Sequence, residues 1–252
     1  MRNSDGKSVV ARVAAILNAF TSDAPQRHIR AISEDTGIPL STCHRLVDLL
    51  CQEGFLERGA DGRYEIGLSL WEISSRAAGA SEIKKIALPF MRDLSTVTQH
   101  PVHLAVRNGS ECVFIERMAP VGEEWTRPEV GSRYPLHVTS VGLILLANAS
   151  SGIQNEYLSR ALESPTDFTV TDPAILRRSL ADIRDHGFAV SDRQIRADAF
   201  SVAAPIVDGR KNVIAALSVN TPSGSLKEQS MAHAVQMTAR AISRAWPTDM
   251  HH

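Results

Sequence analysis

Residues 37–50 have the sequence GIPLSTCHRLVDLL, in which a glycine and a proline precede one amphipathic segment. Helical spacing gives this segment an inner apolar stripe of Cys43, Leu46, Val47 and Leu50. The outward row is then Ser41, Thr42, His44, Arg45 and Asp48. Gly37 suits the left-handed conformation that ends a preceding helix. The stretch therefore predicts the turn and the third helix of a helix-turn-helix.

The neighbouring segments predict the rest of a winged helix-turn-helix. Apolar residues recur at helical spacing over 8–21 and 28–36, ahead of the turn. Two short strand-like runs at 55–58 and 63–66 follow, joined by Gly59-Ala60-Asp61-Gly62, which is a good hairpin signal. Three helices and a hairpin in this order predict a fold that inserts its third helix into the major groove of DNA.

The exposed start of the third helix and the wing supply the predicted DNA contacts. Small polar and basic side chains at the helix start are placed to reach base edges and phosphates. Arginines at the wing are placed to reach phosphates or the adjacent minor groove. The predicted DNA-binding residues are Ser41, Thr42, His44, Arg45, Arg58 and Arg63, with Arg45 the strongest candidate.

A three-helix domain used for protein contacts is the alternative for this module. The formal net charge of the chain is −1, so no overall basic field indicates nucleic acid. DNA binding must therefore rest on local geometry. The acidic residues that support the alternative are Asp48, Glu53, Glu57 and Asp61.

Beyond the wing, the sequence predicts a linker helix over 67–81. It would join a DNA-binding domain over 1–66 to an effector-binding and oligomerisation domain over 82–252. In the second domain a helix start is marked by Thr171-Asp172-Pro173 and its end by Gly187. Other helices are predicted at 82–98, 140–149, 154–163 and 226–245, strands at 102–107, 112–117, 200–207 and 213–220, and a loop at 119–135. This mixture predicts an α+β domain with a largely antiparallel sheet.

Composition places the chain among ordinary globular proteins. Of its 252 residues, 43% are hydrophobic and 22% charged, which argues against disorder and low-complexity repeats. No apolar run approaches the roughly 18 residues of a membrane span, and the first residues lack an apolar signal core. We therefore expect a cytoplasmic chain with no membrane partner.

Cysteines, histidines and short motifs give no sign of a metal, a cofactor or catalysis. Cys43, Cys51 and Cys112 have neither CxxC spacing nor an even count, which fits a reducing compartment. His100 and His103 begin a strand at a spacing that points them to opposite faces. No GxSxG, P-loop or GxGxxG motif offers an anchor for acyl transfer or nucleotide chemistry. His251 and His252 resemble a tag remnant and are set aside.

Four ordered segments resemble the IclR family of bacterial transcriptional regulators, over nearly the full length. They are IPLSTCHRL at 38–46, GRYEIG at 62–67, YPLHVTSVG at 134–142, and HGFAVSD at 186–192 continuing through VAAPIV at 202–207. The resemblance implies an N-terminal winged helix-turn-helix followed by a GAF-like α+β effector-binding domain. It also implies a homodimer or dimer of dimers that binds a small metabolite, often an organic or aromatic acid.

Carried over by position, the resemblance implies an effector pocket between a helix start and a sheet. Its residues would be Ser140, Val141 and Gly142 at the helix start, with Ser191, Ser201, Ser218 and Asn220 from the sheet. Hydroxyls, an amide and N–H groups at a helix N-terminus are suitable donors for a carboxylate. The chain departs from the family pattern with Leu143 for a common lysine, Gln194 for glutamate, Asp198 for glycine and Ser201 for a frequent cysteine. These departures leave the identity of the effector open.

The leading hypothesis is a ligand-responsive regulator that binds double-stranded operator DNA. Two modules of a dimer would place their third helices in successive major grooves, about 34 Å apart. Metabolite binding would shift the population of domain arrangements that fit this spacing. One alternative is a small-acid hydrolase or isomerase with an N-terminal docking module. Another is a regulator whose C-terminal domain only dimerises.

Overall fold

A computed structural model of the chain describes residues 8–21, 23–76, 78–122, 128–224 and 228–247. The chain divides into two compact units, residues 1–78 and 79–252. This division falls inside the stretch predicted as a linker. His251 and His252 lie outside the described residues. Among the described helices, none combines the length and apolar character that crossing a membrane requires.

The first unit is a winged helix-turn-helix, as predicted. Its elements are α1 (Val9–Asn18), α2 (Ile29–Thr36), α3 (Leu40–Gln52), β1 (Leu56–Arg58), β2 (Tyr64–Ile66) and α4 (Leu68–Ser75). The inner stripe of α3 is buried together with side chains from α1, α2 and the wing. The amphipathic pattern of each short helix thus builds one shared core.

The turn between α2 and α3 is fixed by Gly37 and by a hydrogen bond from α2. Gly37 has φ 66° and ψ 13°, the left-handed conformation predicted for it. The Ser33 hydroxyl donates to the Ile38 carbonyl at 2.7 Å. This bond spans the turn and restrains the orientation of α3 relative to α2.

The wing is an antiparallel hairpin extended by one isolated bridge. Leu56 pairs with Ile66 and Arg58 with Tyr64. The backbone of Arg27, ahead of α2, exchanges two hydrogen bonds with Tyr64, at 2.9 and 2.8 Å. The hairpin is therefore hydrogen-bonded to the segment that leads into α2, in addition to the bonds between its own strands.

The second unit is built around an antiparallel sheet, which among the described residues has six strands in the order β5-β4-β3-β8-β7-β6. Its strands are β3 (Val102–Asn108), β4 (Glu111–Met118), β5 (Arg133–Pro135), β6 (Ala189–Asp192), β7 (Ala199–Val207) and β8 (Val213–Pro222). Its helices are α5 (Ala78–Thr98), α6 (Ser140–Ala147), α7 (Ser151–Leu158), α8 (Pro173–His186) and α9 (Glu228–Ala245). The predicted α+β class is confirmed.

Alternating side chains give the sheet two different faces. On β8, Leu217 and Val219 pack into the cluster with α5 and α9. Ala216 belongs to the cluster on the other face, with α6, α7 and α8. Ser218 and Asn220 continue the Ala216 row at a spacing of two, so they face the α6 side. The helices therefore cover both sides of the sheet.

The structure differs from the sequence prediction at several element boundaries. Strand β5 lies within the stretch predicted as a loop, because its three residues pair with β4 without a periodic pattern. Helix α5 begins at Ala78 and continues through Pro89. Helix α7 begins three residues earlier than predicted, because Ser150 caps it by accepting from the Ile153 N–H at 3.4 Å.

Gly142 allows the first turn of α6 to approach the preceding loop. A Cβ added at this position would lie 2.3 Å from the Leu136 carbonyl oxygen and 2.7 Å from its Cα. Real side chains do not reach that distance from a backbone, so only glycine fits without displacement of the chain. The start of α6 and residue 136 are thus fixed relative to each other.

We expect Gly142→Ala to lower the melting temperature of the full chain. Overpacking against a rigid backbone costs about 1–3 kcal/mol, which corresponds to a fall of roughly 2–12 °C for a unit of this size. Gly152→Ala is the matched control, because its nearest neighbour would be the Ser150 hydroxyl at 3.9 Å. In helix α7 that change should be neutral or slightly stabilising. Equal melting temperatures for the two variants would contradict this account of Gly142.

Candidate DNA-binding and effector-binding sites

The predicted contacts on α3 lie together on its outer face. Ser41, His44 and Arg45 are exposed and Thr42 is half-buried. Arg45 and His44 make no ion pair with another described residue. The inner stripe holds the helix against the core, so the outer row stays open to a partner.

The N-terminus of α3 has no side-chain cap. The helix follows Pro39, and among the described residues no side chain forms a capping hydrogen bond at its start. The first backbone N–H groups of a helix have no partner within it. They also carry the positive end of the helix dipole, which suits a phosphate oxygen.

The two predicted wing arginines are held within the hairpin. The Arg58 guanidinium lies 5.6 Å from the centre of the Tyr64 ring. Arg63 forms an ion pair with Asp61, with Nε and Oδ2 3.3 Å apart and both side chains about half exposed. An exposed ion pair of this kind is weak, so Arg63 can exchange Asp61 for a phosphate at little cost.

The second unit contains a cavity where the start of α6 faces β6, β7 and β8. Its volume, including the part open to solvent, is about 530 Å³. Six of the seven predicted effector residues line it: Ser140, Val141, Ser191, Ser201, Ser218 and Asn220. The structure thus brings together residues that lie up to 80 positions apart in the sequence.

Strand register explains why the sheet residues meet. Ser201 is directly opposite Ser191 on β6 and directly opposite Asn220 on β8. Directly opposed residues project from the same face of a sheet. One row across three strands therefore forms part of the cavity wall, and Ser218 lies two residues before Asn220 on the same face.

Hydrogen bonds among these side chains leave specific donors for a ligand. The Ser140 hydroxyl donates to the Ser201 hydroxyl at 2.8 Å, so the Ser201 proton is left to donate onward. The Ser218 hydroxyl donates to Asn220 Oδ1 at 3.1 Å, which leaves the Asn220 Nδ2 protons. The Ser191 hydroxyl donates to the Val138 carbonyl at 2.9 Å, so it serves the wall rather than a ligand.

The cap of α6 determines which backbone donors face the cavity. Thr139 caps the helix, and its hydroxyl accepts from the Gly142 N–H at 3.0 Å. Ser140 and Val141 occupy the first two helical positions, whose N–H groups have no partner within a helix. Gly142 was predicted to line the pocket, but it is not among the described lining residues. Its N–H is taken by the cap and its Cα faces Leu136.

The remaining lining residues were not identified from the sequence. Aromatic side chains from two strands form apolar walls: Phe114 and Tyr134. Phe200 also adjoins the cavity, but it alternates with Ser201 along β7 and packs against the cluster on the other face of the sheet. Arg196 is the one cationic side chain among the described lining residues. Tyr134 begins a segment that carries the family resemblance, which was a usable signal. Arg196 lies in a loop, where no periodicity predicts the direction of a side chain.

A hydrogen-bonded histidine holds the loop that leads into α6. His137 Nε2 lies 2.8 Å from the Glu163 carbonyl, so this nitrogen must donate. The Tyr157 hydroxyl, 2.7 Å from Nδ1, is then the donor to the other ring nitrogen. Burial lowers the pKa of His137 and raises the pKa of Tyr157 to about 12. The neutral pair fixes the chain next to Thr139.

His103 is a buried histidine beside the cavity. It is fully buried, lies opposite Ser218 across β3 and β8, and meets the Phe114 ring edge-on at 5.6 Å between centroids. No described residue satisfies hydrogen-bond distance and angle with either ring nitrogen. Burial, and then the charge of Arg117, lower the pKa of His103 to about 3, partly offset by the Pro128 carbonyl. The ring is therefore neutral at physiological pH.

Stability of the second unit should fall with acidity because of His103. Its pKa is lower in the folded chain than the 6.5 of an unfolded chain, so folding favours the neutral form. The resulting stability is complete above pH 6.5 and is lost as the pH falls from 6.5 towards 3. Between pH 7 and pH 5 the loss from His103 is about 2 kcal/mol. The lowered pKa of His137 adds to the same loss of stability at low pH.

His103→Phe should remove this loss of about 2 kcal/mol between pH 7 and pH 5, an average of about 1 kcal/mol per pH unit. Urea unfolding from pH 7 to pH 5 measures it. His233→Phe is the control, because His233 is exposed on α9 and the change should leave the slope unaltered. An unchanged slope in His103→Phe would show that His103 does not remain neutral in the folded state.

These two units define a class of protein: a winged helix-turn-helix for DNA combined with a domain that encloses a small-molecule cavity, the organisation of a ligand-responsive transcriptional regulator. The model of the IclR helix-turn-helix domain matches residues 9–60. The model of the bacterial transcriptional regulator IclR C-terminal domain matches residues 75–244. The chain therefore belongs to the IclR family, as its sequence segments predicted.

Curated relatives agree over nearly the whole chain. The transcriptional regulator XynR of Escherichia coli K12 is 28% identical over 241 residues, which cover 94% of this chain and 96% of XynR. The transcriptional repressor AllR of the same strain is 29% identical over 251 residues, covering 98% of this chain and 93% of AllR. Both relatives are named as regulators of transcription.

Solved structures confirm the fold. An IclR homologue from Microbacterium hydrocarbonoxydans, complexed with 4-hydroxybenzoate, has a TM-score of 0.86 and 34% identity, covering 94% of this chain and 98% of that one. The Thermotoga maritima IclR has a TM-score of 0.73 and 26% identity, covering 93% and 97%. Both superpositions include the N-terminal and C-terminal units.

Proposed function

We propose that the chain binds double-stranded operator DNA through the outer row of α3 and the wing, and that a small organic acid in the α6 cavity controls this binding. The proposal includes a homodimer or dimer of dimers acting in the cytoplasm, where bacterial promoters lie. The observation that carries it is the cavity itself. Its unused donors face inward from a helix start and a strand.

Local geometry supports DNA binding despite the balanced net charge. The exposed row combines Arg45 with small hydroxyl side chains, and the uncapped start of α3 adds backbone donors for a phosphate. Arg58 and Arg63 supply a second basic element on the wing. Asp48, exposed further along α3, would repel phosphates, so the N-terminal half of the helix is the half that enters the groove.

Arg45→Ala should weaken specific DNA binding roughly tenfold or more, because one good arginine contact to a base contributes about 1–3 kcal/mol. Fluorescence anisotropy with a duplex selected from random sequences by the wild-type chain measures this. Arg177→Ala removes the same charge from the exposed face of α8 and should leave affinity within twofold. Equal wild-type affinity for selected and random duplexes at moderate salt would contradict sequence-specific binding.

The cavity is suited to a small acid with an apolar body. The Ser201 hydroxyl, the Asn220 amide and the first N–H groups of α6 are donors without a fixed acceptor, which matches a carboxylate. Phe114 and Tyr134 offer surfaces for a ring. The homologue with bound 4-hydroxybenzoate, 34% identical to this chain, supports an aromatic acid as the first candidate.

The hydrolase or isomerase alternative receives less support from the same geometry. Acyl transfer needs a hydroxyl or thiol within hydrogen-bond reach of a base. The hydroxyls of the cavity serines Ser140, Ser218 and Ser191 donate instead to a serine, an amide and a backbone carbonyl. The buried His103, the nearest candidate base, makes no hydrogen bond to any of these hydroxyls. We therefore propose binding without turnover and without a cofactor.

An acid effector should raise the melting temperature of the full chain, because a ligand of the folded state stabilises it by mass action. At one hundred times the dissociation constant, 4-hydroxybenzoate would add about 2.7 kcal/mol. Ser201→Ala should weaken that binding about tenfold or more through the loss of a charged hydrogen bond. Ser159→Ala, at the exposed end of α7, is the control.

Thermal shift with a panel of small carboxylates, followed by DNA binding with any hit, decides between the candidates. Stabilisation that Ser201→Ala abolishes, together with altered DNA affinity, supports the sensor. DNA binding without any stabilising acid favours a C-terminal domain that only dimerises. Turnover of an acid by the full chain favours the enzyme.

A further inference from the structure

The loop between β6 and β7 brings an arginine to the cavity, and this arginine is paired with an aspartate of the same loop. Ile195 and Arg196 from this loop line the cavity with Ala199 at the start of β7. The guanidinium of Arg196 makes two parallel bonds to Asp198, from Nε to Oδ1 at 3.0 Å and from Nη2 to Oδ2 at 2.7 Å. Paired bonds of this kind are how an arginine binds any carboxylate. Asp198 therefore occupies the guanidinium edge through which Arg196 would bind a ligand carboxylate.

Arg193, in the same loop, can be compared with Arg196, because it forms a similar ion pair away from the cavity. Arg193 pairs with Asp192 at 3.0 Å, and its guanidinium lies 4.0 Å from the centre of the Phe168 ring. Its side chain is 39% exposed, against 42% for Arg196. Arg193 is not among the described residues that line the cavity. The two arginines are thus alike in exposure and differ in position.

We propose that Arg196 is the charge-specificity residue of the cavity, and that Asp198 is a tethered carboxylate that the effector's carboxylate displaces. This inference rests on the proposed binding of an acid. It adds that the cavity distinguishes an acid from a neutral molecule of the same shape. Every other described lining side chain is neutral at physiological pH.

Replacing the Asp198 carboxylate with a ligand carboxylate at Arg196 costs little free energy. One carboxylate leaves the guanidinium as another arrives, so the number of charge pairs is unchanged. Asp198 is 61% exposed, and on release it returns to water without a burial penalty. An exposed pair is weak, so the tethered carboxylate should reduce acid affinity only two- to fivefold. Pairing with Arg196 lowers the pKa of Asp198, which keeps the competitor ionised at neutral pH.

Isothermal titration of the full chain with 4-hydroxybenzoate and its neutral amide, 4-hydroxybenzamide, tests the proposal. Arg196→Gln should weaken binding of the acid tenfold or more and leave binding of the amide within twofold. Asp198→Asn should strengthen binding of the acid two- to fivefold without affecting the amide. Arg193→Gln, the matched control from the same loop, should change neither.

The outcomes separate this inference from the proposed function. Acid binding that Arg196→Gln leaves within twofold, or equal losses of acid and amide, would overturn the role of Arg196 while the acid-responsive cavity stands. Acid binding that Asp198→Asn weakens or leaves unchanged would overturn the tethered competitor. If neither the wild type nor Asp198→Asn binds 4-hydroxybenzoate, benzoate or phenylacetate, both the aromatic-acid proposal and this inference are wrong. Binding by Asp198→Asn alone would support the inference.

Discussion

The close contact between the start of α6 and the Leu136 carbonyl is the constraint on which the cavity depends. Gly142 makes the contact possible, because a Cβ there would lie 2.3 Å from that oxygen. Thr139 caps the same turn and uses the Gly142 N–H, so that the preceding N–H groups remain available. The Ser140 hydroxyl then joins the helix to Ser201 on β7. Helix, loop and sheet thereby hold one set of donors in a fixed arrangement.

The sheet makes room for a ligand through the size of its side chains. On the face covered by α5 and α9, β7 and β8 carry large apolar residues such as Ile206 and Leu217. On the opposite face the same strands carry small residues that include Ala203, Ala216, Ser201, Ser218 and Asn220. Small side chains allow α6 to pack closely over Ala203 and Ala216, and the polar side chains of the same face lie beside the start of the helix. The cavity is therefore a consequence of the alternation pattern as well as of the helix start.

Sequence predicted the elements with strong periodicity and missed those set by distant contacts. Helix α3 and its turn followed from local spacing, because Gly37 and the inner stripe act within a few residues. Strand β5 could not be predicted in this way, since only pairing with β4 makes it a strand. Six pocket residues came from a family resemblance, and strand register explains their meeting. Arg196 was missed because loop side chains take their direction from tertiary structure, although the departure at Asp198 marked the right loop.

The two candidate sites use helix starts in different surroundings. At α3 the capping position is Pro39, and the first turn adjoins exposed side chains, so water and salt weaken its attraction for an anion. At α6 the first two residues are 1% exposed, and the same backbone donors act where screening is low. The exposed N-terminus of α3 is suited to contact a DNA phosphate as one of several weak contacts. The affinity that such contacts provide together depends strongly on salt. The buried N-terminus of α6 is suited to bind one small carboxylate and to distinguish it from water and from neutral molecules.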